Sequence, residues 1–320
     1  MGTFEIDGED APLGAATFDH YWKIVAPPAA KGLCLFCEEP LHSGTRSKEH
    51  VLPRWLLREF GVEDSMIEPT WMDARNKFKP RNQRRQVASS LVHGHVCGSC
   101  NNGWMSALEV AVTSTLLDLA RGRNTVDQLD PTQRVTLARW AVKTAAVLNR
   151  SSNFYDMVTQ PQAASAMTER LGPGIVVVGR QLTSDPPTPL TWNQTPGIGQ
   201  IMKPPATSDD DLRAQIESAW RIVLGVGRLL LLVAFMPPST DWQFCYEQTM
   251  HQPIWPLDGV WPLYDAMGIY TPEDFSEVFA TTMSLRVIST TDDSTPTGMI
   301  VETIVIDDTG PPPAPLGSSR

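Results

Sequence analysis

The sequence is short of cysteine and of basic charge, and it has no long uninterrupted apolar run. Each shortage excludes something. Five cysteines in 320 residues are too few, and odd in number, for the disulfide framework of a secreted scaffold; they fit a reducing compartment in which some of them bind metal. With 26 Lys and Arg against 36 Asp and Glu the formal charge is −10. That balance argues against a protein that coats nucleic acid over its whole surface, because such binding depends on neutralising many phosphates. The longest apolar run, 222–236, contains Arg228 and two glycines and is too short to span a bilayer. The opening MGTFEIDGED is acidic where a secretory leader is basic, and Ile6 stands where a myristoylation signal needs Ser or Thr. A cytoplasmic protein without membrane association is expected, its oligomeric state open.

Four of the five cysteines fall in two C-x-x-C pairs, Cys34-Leu-Phe-Cys37 and Cys97-Gly-Ser-Cys100, while Cys245 stands alone among aromatic residues. Two such pairs supply the four thiolates that a tetrahedral Zn²⁺ takes. Sixty residues separate Cys37 from Cys97, a tolerable insertion because loop-closure cost grows only logarithmically with length. The competing reading, a redox dithiol, wants a βαβ pattern that neither pair has. Structural Zn²⁺ on Cys34, Cys37, Cys97 and Cys100 is therefore expected.

Between the pairs, Lys48-Glu49-His50-Val51-Leu52-Pro53 is the one place where a carboxylate adjoins an imidazole. Charge is also uneven there. Residues 31–104 hold eleven Lys and Arg against eight Asp and Glu, a net +3 that leaves −13 for the rest, so a polyanion meets the cysteine-bearing part first. Most of that excess lies in 75–85, where Arg75, Lys77, Lys79, Arg81, Arg84 and Arg85 surround Phe78 and Pro80 with no acid. This stretch reads as an exposed loop or hairpin tip that binds phosphate by charge, with Phe78 free to stack, or else as a solvated face.

Helical spacing predicts a short helix over 54–60, ended by Gly61, and a longer one over 104–119 with Trp104, Leu108, Val112 and Leu116 on one stripe. Asp130-Pro131 opens a third to about Asn149, on which Arg139, Lys143 and Arg150 read as a solvated face. Glu109 reads as half of a helix-surface ion pair. Strands are expected over 87–96, 174–180, 191–202, 220–227 and 228–236, then a helix over 271–282 and strands over 283–289 and 299–306. The five tryptophans from Trp192 onward read as core or loop anchors, and the tail TGPPPAPLGSSR as disordered.

The ordered set Cys34-x-x-Cys37, Glu49-His50-Val51-x-Pro53 and Cys97-x-x-Cys100-Asn101 resembles the zinc-bearing members of the HNH nuclease family. EHVLPRW together with CNNGWMSALE is similar to a bacterial group commonly labelled HNH endonucleases. The resemblance covers 33–109, about a third of the chain. It implies a ββα-metal site in which one divalent ion polarises a phosphodiester. His50 matches the general base, Glu49 the carboxylate on the catalytic metal, and Asn101 the metal-binding residue at the helix start. Mg²⁺ or Mn²⁺ would suit hard oxygen ligands, and Zn²⁺ would only hold the scaffold. The chain departs from the family in having Glu for Asp before the histidine. Where a middle asparagine is usual, Val92, His93 and His95 stand.

The expected architecture is α+β. A treble-clef HNH-like zinc module over 31–122 follows an N-terminal extension over 1–30. A helical connector over 123–172 leads to a mixed, strand-rich domain over 173–308, and a tail over 309–320 ends the chain. The expected function is metal-dependent phosphodiester hydrolysis, with nucleic acid, DNA foremost, as partner, in a bacterial or phage setting. The other class in play is a catalytically inactive zinc module that binds nucleic acid or a protein. Elemental analysis of the purified protein should find one zinc per chain; less than one would remove the scaffold argument before any question of activity.

Overall fold

The computed structural model describes residues 32–73, 80–82, 86–151, 157–186, 188–196, 220–235, 251–256 and 281–288. Chain order begins with β1 (Glu49–His50) and α1 (Arg54–Glu59). The carbonyl of Pro53 accepts from the N–H groups of Leu56 and Leu57 to open α1, and Gly61 at φ +65 closes it, as a left-handed glycine cap does. Leu56 and Leu57 are the buried face. β2 (Met66–Asp73), β3 (Pro80–Asn82), β4 (Gln86–Val87) and β5 (Val92–His93) follow. The single strand expected over 87–96 is split by a 3₁₀ turn at Ala88–Ser90. The cause is local: the N–H groups of Ala88 and Ser89 donate to the carbonyls of Ser65 and Glu63 instead of to a ladder.

β5 pairs antiparallel with β1 alone, Glu49 opposite His93 and His50 opposite Val92. After it, Cys97 caps a single turn (Gly98–Cys100), and a wide π turn (Asn101–Met105) feeds α2 (Ser106–Ala120). Helical structure thus starts earlier than Trp104, with Gly103 at non-helical φ −93, ψ −111 inside the wide turn. Leu108, Val112, Leu116 and Leu119 are buried along the predicted stripe.

α3 (Pro131–Ser151) is the centre of the core. Trp140, Val142 and Val147 are buried and Val135 is half-buried, and every residue of 137–149 is buried except the half-buried Arg139. This stretch is covered all the way round, with Lys143, Thr144 and Asn149 buried among its apolar residues. The reading of Arg139, Lys143 and Arg150 as a solvated face is therefore corrected. Lys143 is only 1% exposed and meets Glu109, while Arg139 donates to the carbonyls of Ala166 and Met167. Sequence spacing puts the cations on one face, yet the fold covers that face as well.

α4 (Gln160–Ala164) leads to β6 (Ile175–Gln181), β7 (Leu190–Pro196), β8 (Trp220–Val226), β9 (Leu229–Phe235), β10 (His251–Trp255) and β11 (Thr281–Ile288). These strands and β2, β3 and β4 form one antiparallel sheet in the order β10-β6-β9-β8-β7-β11-β2-β3, with β4 also on β2. α3 packs on β6, β8, β9 and β10. β2, from the cysteine-bearing stretch, pairs with β11 from near the chain's end, Met66 opposite Ile288 and Asp73 opposite Thr281. One buried cluster runs from Cys34 to Ile254. The fold is mixed α+β, and α3, expected in a connector, is its interior. Trp192 and Trp220 are core residues, as anticipated. The expectations for 1–30, for 299–306 and for the tail lie outside the described residues, as does the helix expected over 271–282 up to residue 280; its last two positions, Thr281 and Thr282, open β11 instead. Among the described residues no helix is long and apolar enough to cross a membrane.

The β8–β9 hairpin turns at Gly227 (φ +53), whose N–H donates to Pro189, while Arg228 donates to the Ala120 carbonyl at the end of α2. A side chain at Gly227 would run into that same carbonyl oxygen. Gly227→Ala is expected to cost about 1–3 kcal/mol in urea or thermal unfolding, as strained left-handed positions do, with zinc content unchanged. Wild-type stability in the variant would show that the hairpin does not depend on this approach.

Candidate functional site

The two C-x-x-C turns are brought together by backbone pairing. Leu35 donates to the His95 carbonyl, Ser47 to Val96 and Gly98 to Thr45, and Arg46 bridges Cys97. The first turn is thereby laid along the strand that enters the second. All four sulfurs lie within 4.8 Å of one another, and Cys37 Sγ is 3.6 Å from Cys97 Sγ. A tetrahedral Zn²⁺ with bonds of ~2.3 Å separates its sulfurs by about 3.8 Å, so this donor set can hold a metal ion such as zinc. Cys34, Cys97 and Cys100 are buried and Cys37 is exposed. Burial pushes the Cys34 thiol up, but the backbone N–H groups of Cys37, Cys97 and Phe36 outweigh it and leave the pKa lowered. Burial pushes Cys37 and Cys100 up, and Trp104, edge-on to Phe36 at 5.0 Å, packs against this side of the cluster.

The Glu49-His50 pair rises beside this cluster on β1. Glu49 is 8% exposed. Burial pushes its pKa up to about 7, with the Lys143 ammonium pulling it down and the Glu109 carboxylate adding to the rise. His50, half-buried, is lowered first by burial and then by Arg54, against opposing pulls from Glu109 and Glu63. His93, also 8% exposed, faces Glu49 across the ladder. Burial drives its pKa down to about 3, with His95, Lys143 and Arg150 contributing. Its Nδ1 accepts the His95 N–H at 3.2 Å, which leaves the neutral ring's proton on Nε2. That atom is buried without a partner among the described residues.

The side chain that the fold places beside both Glu49 and His50 is Glu109 on α2. Its Oε1 accepts from Lys143 Nζ at 2.6 Å and its Oε2 from Trp55 Nε1 at 3.1 Å. The contact joins the last residues of EHVLPRW and CNNGWMSALE, with α3 reaching in from behind. Asn101 is half-buried at the start of the wide turn, and its backbone N–H donates to Cys97; among the described residues its side chain has no hydrogen-bond partner. Of the basic stretch, Arg75, Lys77, Lys79, Arg84 and Arg85 lie outside the described residues, and Arg81 is described only as part of β3.

Glu109 and Lys143 are the members of this constellation that spacing alone assigns elsewhere. Two signals in the sequence mark them: Glu109 closes the second motif, and Lys143 is the one charge in Trp140-Ala-Val-Lys143-Thr-Ala-Ala-Val-Leu148.

The rise in the Glu49 pKa above its ordinary 4.5 means the folded chain takes up this proton more readily than the unfolded one. Its contribution to stability is present in full below pH 4.5 and is lost as the pH rises toward about 7. Glu49→Gln should therefore raise the melting temperature at about pH 8 and leave it unchanged at about pH 4. Equal shifts at both values would remove burial as the cause. Comparison with known protein families, curated proteins and solved structures returns no match, so a functional reading rests on this geometry.

Proposed function

We propose that the chain is a metal-dependent endonuclease of the HNH type, cutting phosphodiester bonds in DNA, with zinc on the four cysteines as a structural staple. The observation that carries the reading is the convergence of a two-stranded ladder bearing Glu49-His50, the four-thiol cluster and the following helix. The Trp55–Glu109 hydrogen bond at 3.1 Å links the two most specific sequence motifs.

In this reading His50, held neutral by a lowered pKa, accepts a proton from the attacking water. Glu49 and the Asn101 side-chain oxygen hold Mg²⁺ or Mn²⁺, hard cations that suit oxygen ligands. When bound, that ion supplies charge stabilisation at the phosphate and the leaving oxygen. Arg54, four residues beyond His50, is held by Glu63 at 2.7 Å, and the basic stretch Arg75–Arg85 supplies phosphate contacts. The second reading, a non-catalytic zinc module that binds nucleic acid or a protein, draws support from Glu49 in place of Asp and from Val92, His93 and His95 where the family's middle asparagine is usual.

Purified protein with Mg²⁺ or Mn²⁺ is expected to nick or linearise plasmid DNA. His50→Ala should abolish cutting with zinc content and melting behaviour unchanged. No cleavage of duplex DNA, single strands or RNA, or cleavage undiminished in His50→Ala, would sink the nuclease reading; DNA retention without cutting would favour the second.

A further inference from the structure

We propose that Lys143 and Glu109 are a positioning pair for this site: a sealed ammonium that holds a carboxylate, and through it Trp55, in one geometry beside Glu49 and His50. The inference rests on the nuclease reading and adds to it two residues that the family resemblance does not assign.

Three elements that meet nowhere in sequence are tied at one carboxylate. Lys143 comes from the interior of α3 and is 1% exposed, so its ammonium has almost no access to water, and it donates to Glu109 Oε1 at 2.6 Å. Glu109 Oε2 takes the Trp55 indole N–H at 3.1 Å. Trp55 lies in the first turn of α1, five residues beyond His50. Both oxygens of Glu109 are thus committed. The carboxylate is fixed in rotation, and the turn from His50 through Pro53 into α1 is anchored to the rigid core helix. A charged group with no freedom to reorganise is what a metal-assisted site needs around its reacting residues. A buried ion pair is weak as a source of stability, which favours a role in placement over one in holding the fold.

The test uses the full-length protein with zinc bound, assayed for plasmid cleavage at saturating Mn²⁺. Lys143→Met leaves the Glu109 charge without its cation, so the double variant Lys143→Met/Glu109→Gln is made beside it; it removes both charges and keeps an acceptor for Trp55. The double variant should melt near the wild-type temperature with one zinc per chain, yet have its cleavage rate constant reduced about 10–100-fold, the usual effect of losing a residue that orients a metal site. Lys143→Arg, which keeps a cation for Glu109, should recover part of the rate. Cleavage at the wild-type rate in the double variant would overturn the proposal while leaving the nuclease reading intact. Loss of zinc and of cooperative melting in the double variant would reduce the pair to a fold determinant and also overturn it. A wild-type protein that cuts nothing would remove both readings together.

Discussion

An ammonium enclosed in a protein core must find a carboxylate, and here that requirement joins the middle of the fold to its candidate site. Leaving one partner of such a pair alone costs about 3–5 kcal/mol, so Lys143 and Glu109 constrain how α3 can approach α2. Every neighbour of the site inherits that constraint. Trp55 is tethered to the same carboxylate, and the charges that act on Glu49 and His93 include the Lys143 ammonium.

The four thiols impose a second constraint, on chain path. Sixty residues separate the two C-x-x-C turns in sequence, yet Cys37 and Cys97 sulfurs lie 3.6 Å apart. Backbone bonds from Leu35, Ser47 and Gly98 make that approach specific, and they orient β1 against β5. The intervening chain does not form an idle loop. It sends β2 into the large sheet beside β11, so the cysteine-bearing stretch and the C-terminal strands share one structure. The side chains nearest the proposed reaction are consequently backed by a packed core: Val51, Leu56 and Leu57 below α1, and Leu108 and Val112 on α2.

Burial around Glu49 and His93 is unfavourable for folding taken alone. A carboxylate raised to about 7 stands opposite a histidine lowered to about 3, whose Nε2 has no partner among the described residues. Strongly perturbed groups of this kind gather where chemistry or binding needs them more often than in purely structural positions. Their clustering on one face of the β1–β5 ladder gives the candidate site its physical identity.

Local chemistry made much of this legible in the chain. The C-x-x-C spacing marked the thiols, Asp130-Pro131 the start of α3 and the i, i+4 stripe the buried face of α2. The β-branched runs marked β6 and β8, and the leucine-rich run marked β9, within a residue or two, because those signals depend only on neighbours in sequence. Long-range packing decided the rest. Whether Lys143 faces water or a carboxylate depends on what covers α3, and whether Glu109 is a surface charge or the centre of a site depends on Trp55 and Lys143 arriving from 54 and 34 residues away. The break at Ala88–Ser90 likewise came from carbonyls of Glu63 and Ser65, residues no local pattern connects to it. Sequence by itself marked the four thiols, the helices α1 to α3 and strands β6 to β9, but not β2 or β10; only the tertiary structure decided which charges would be shut away from water together, because burial is a property of what packs around a residue.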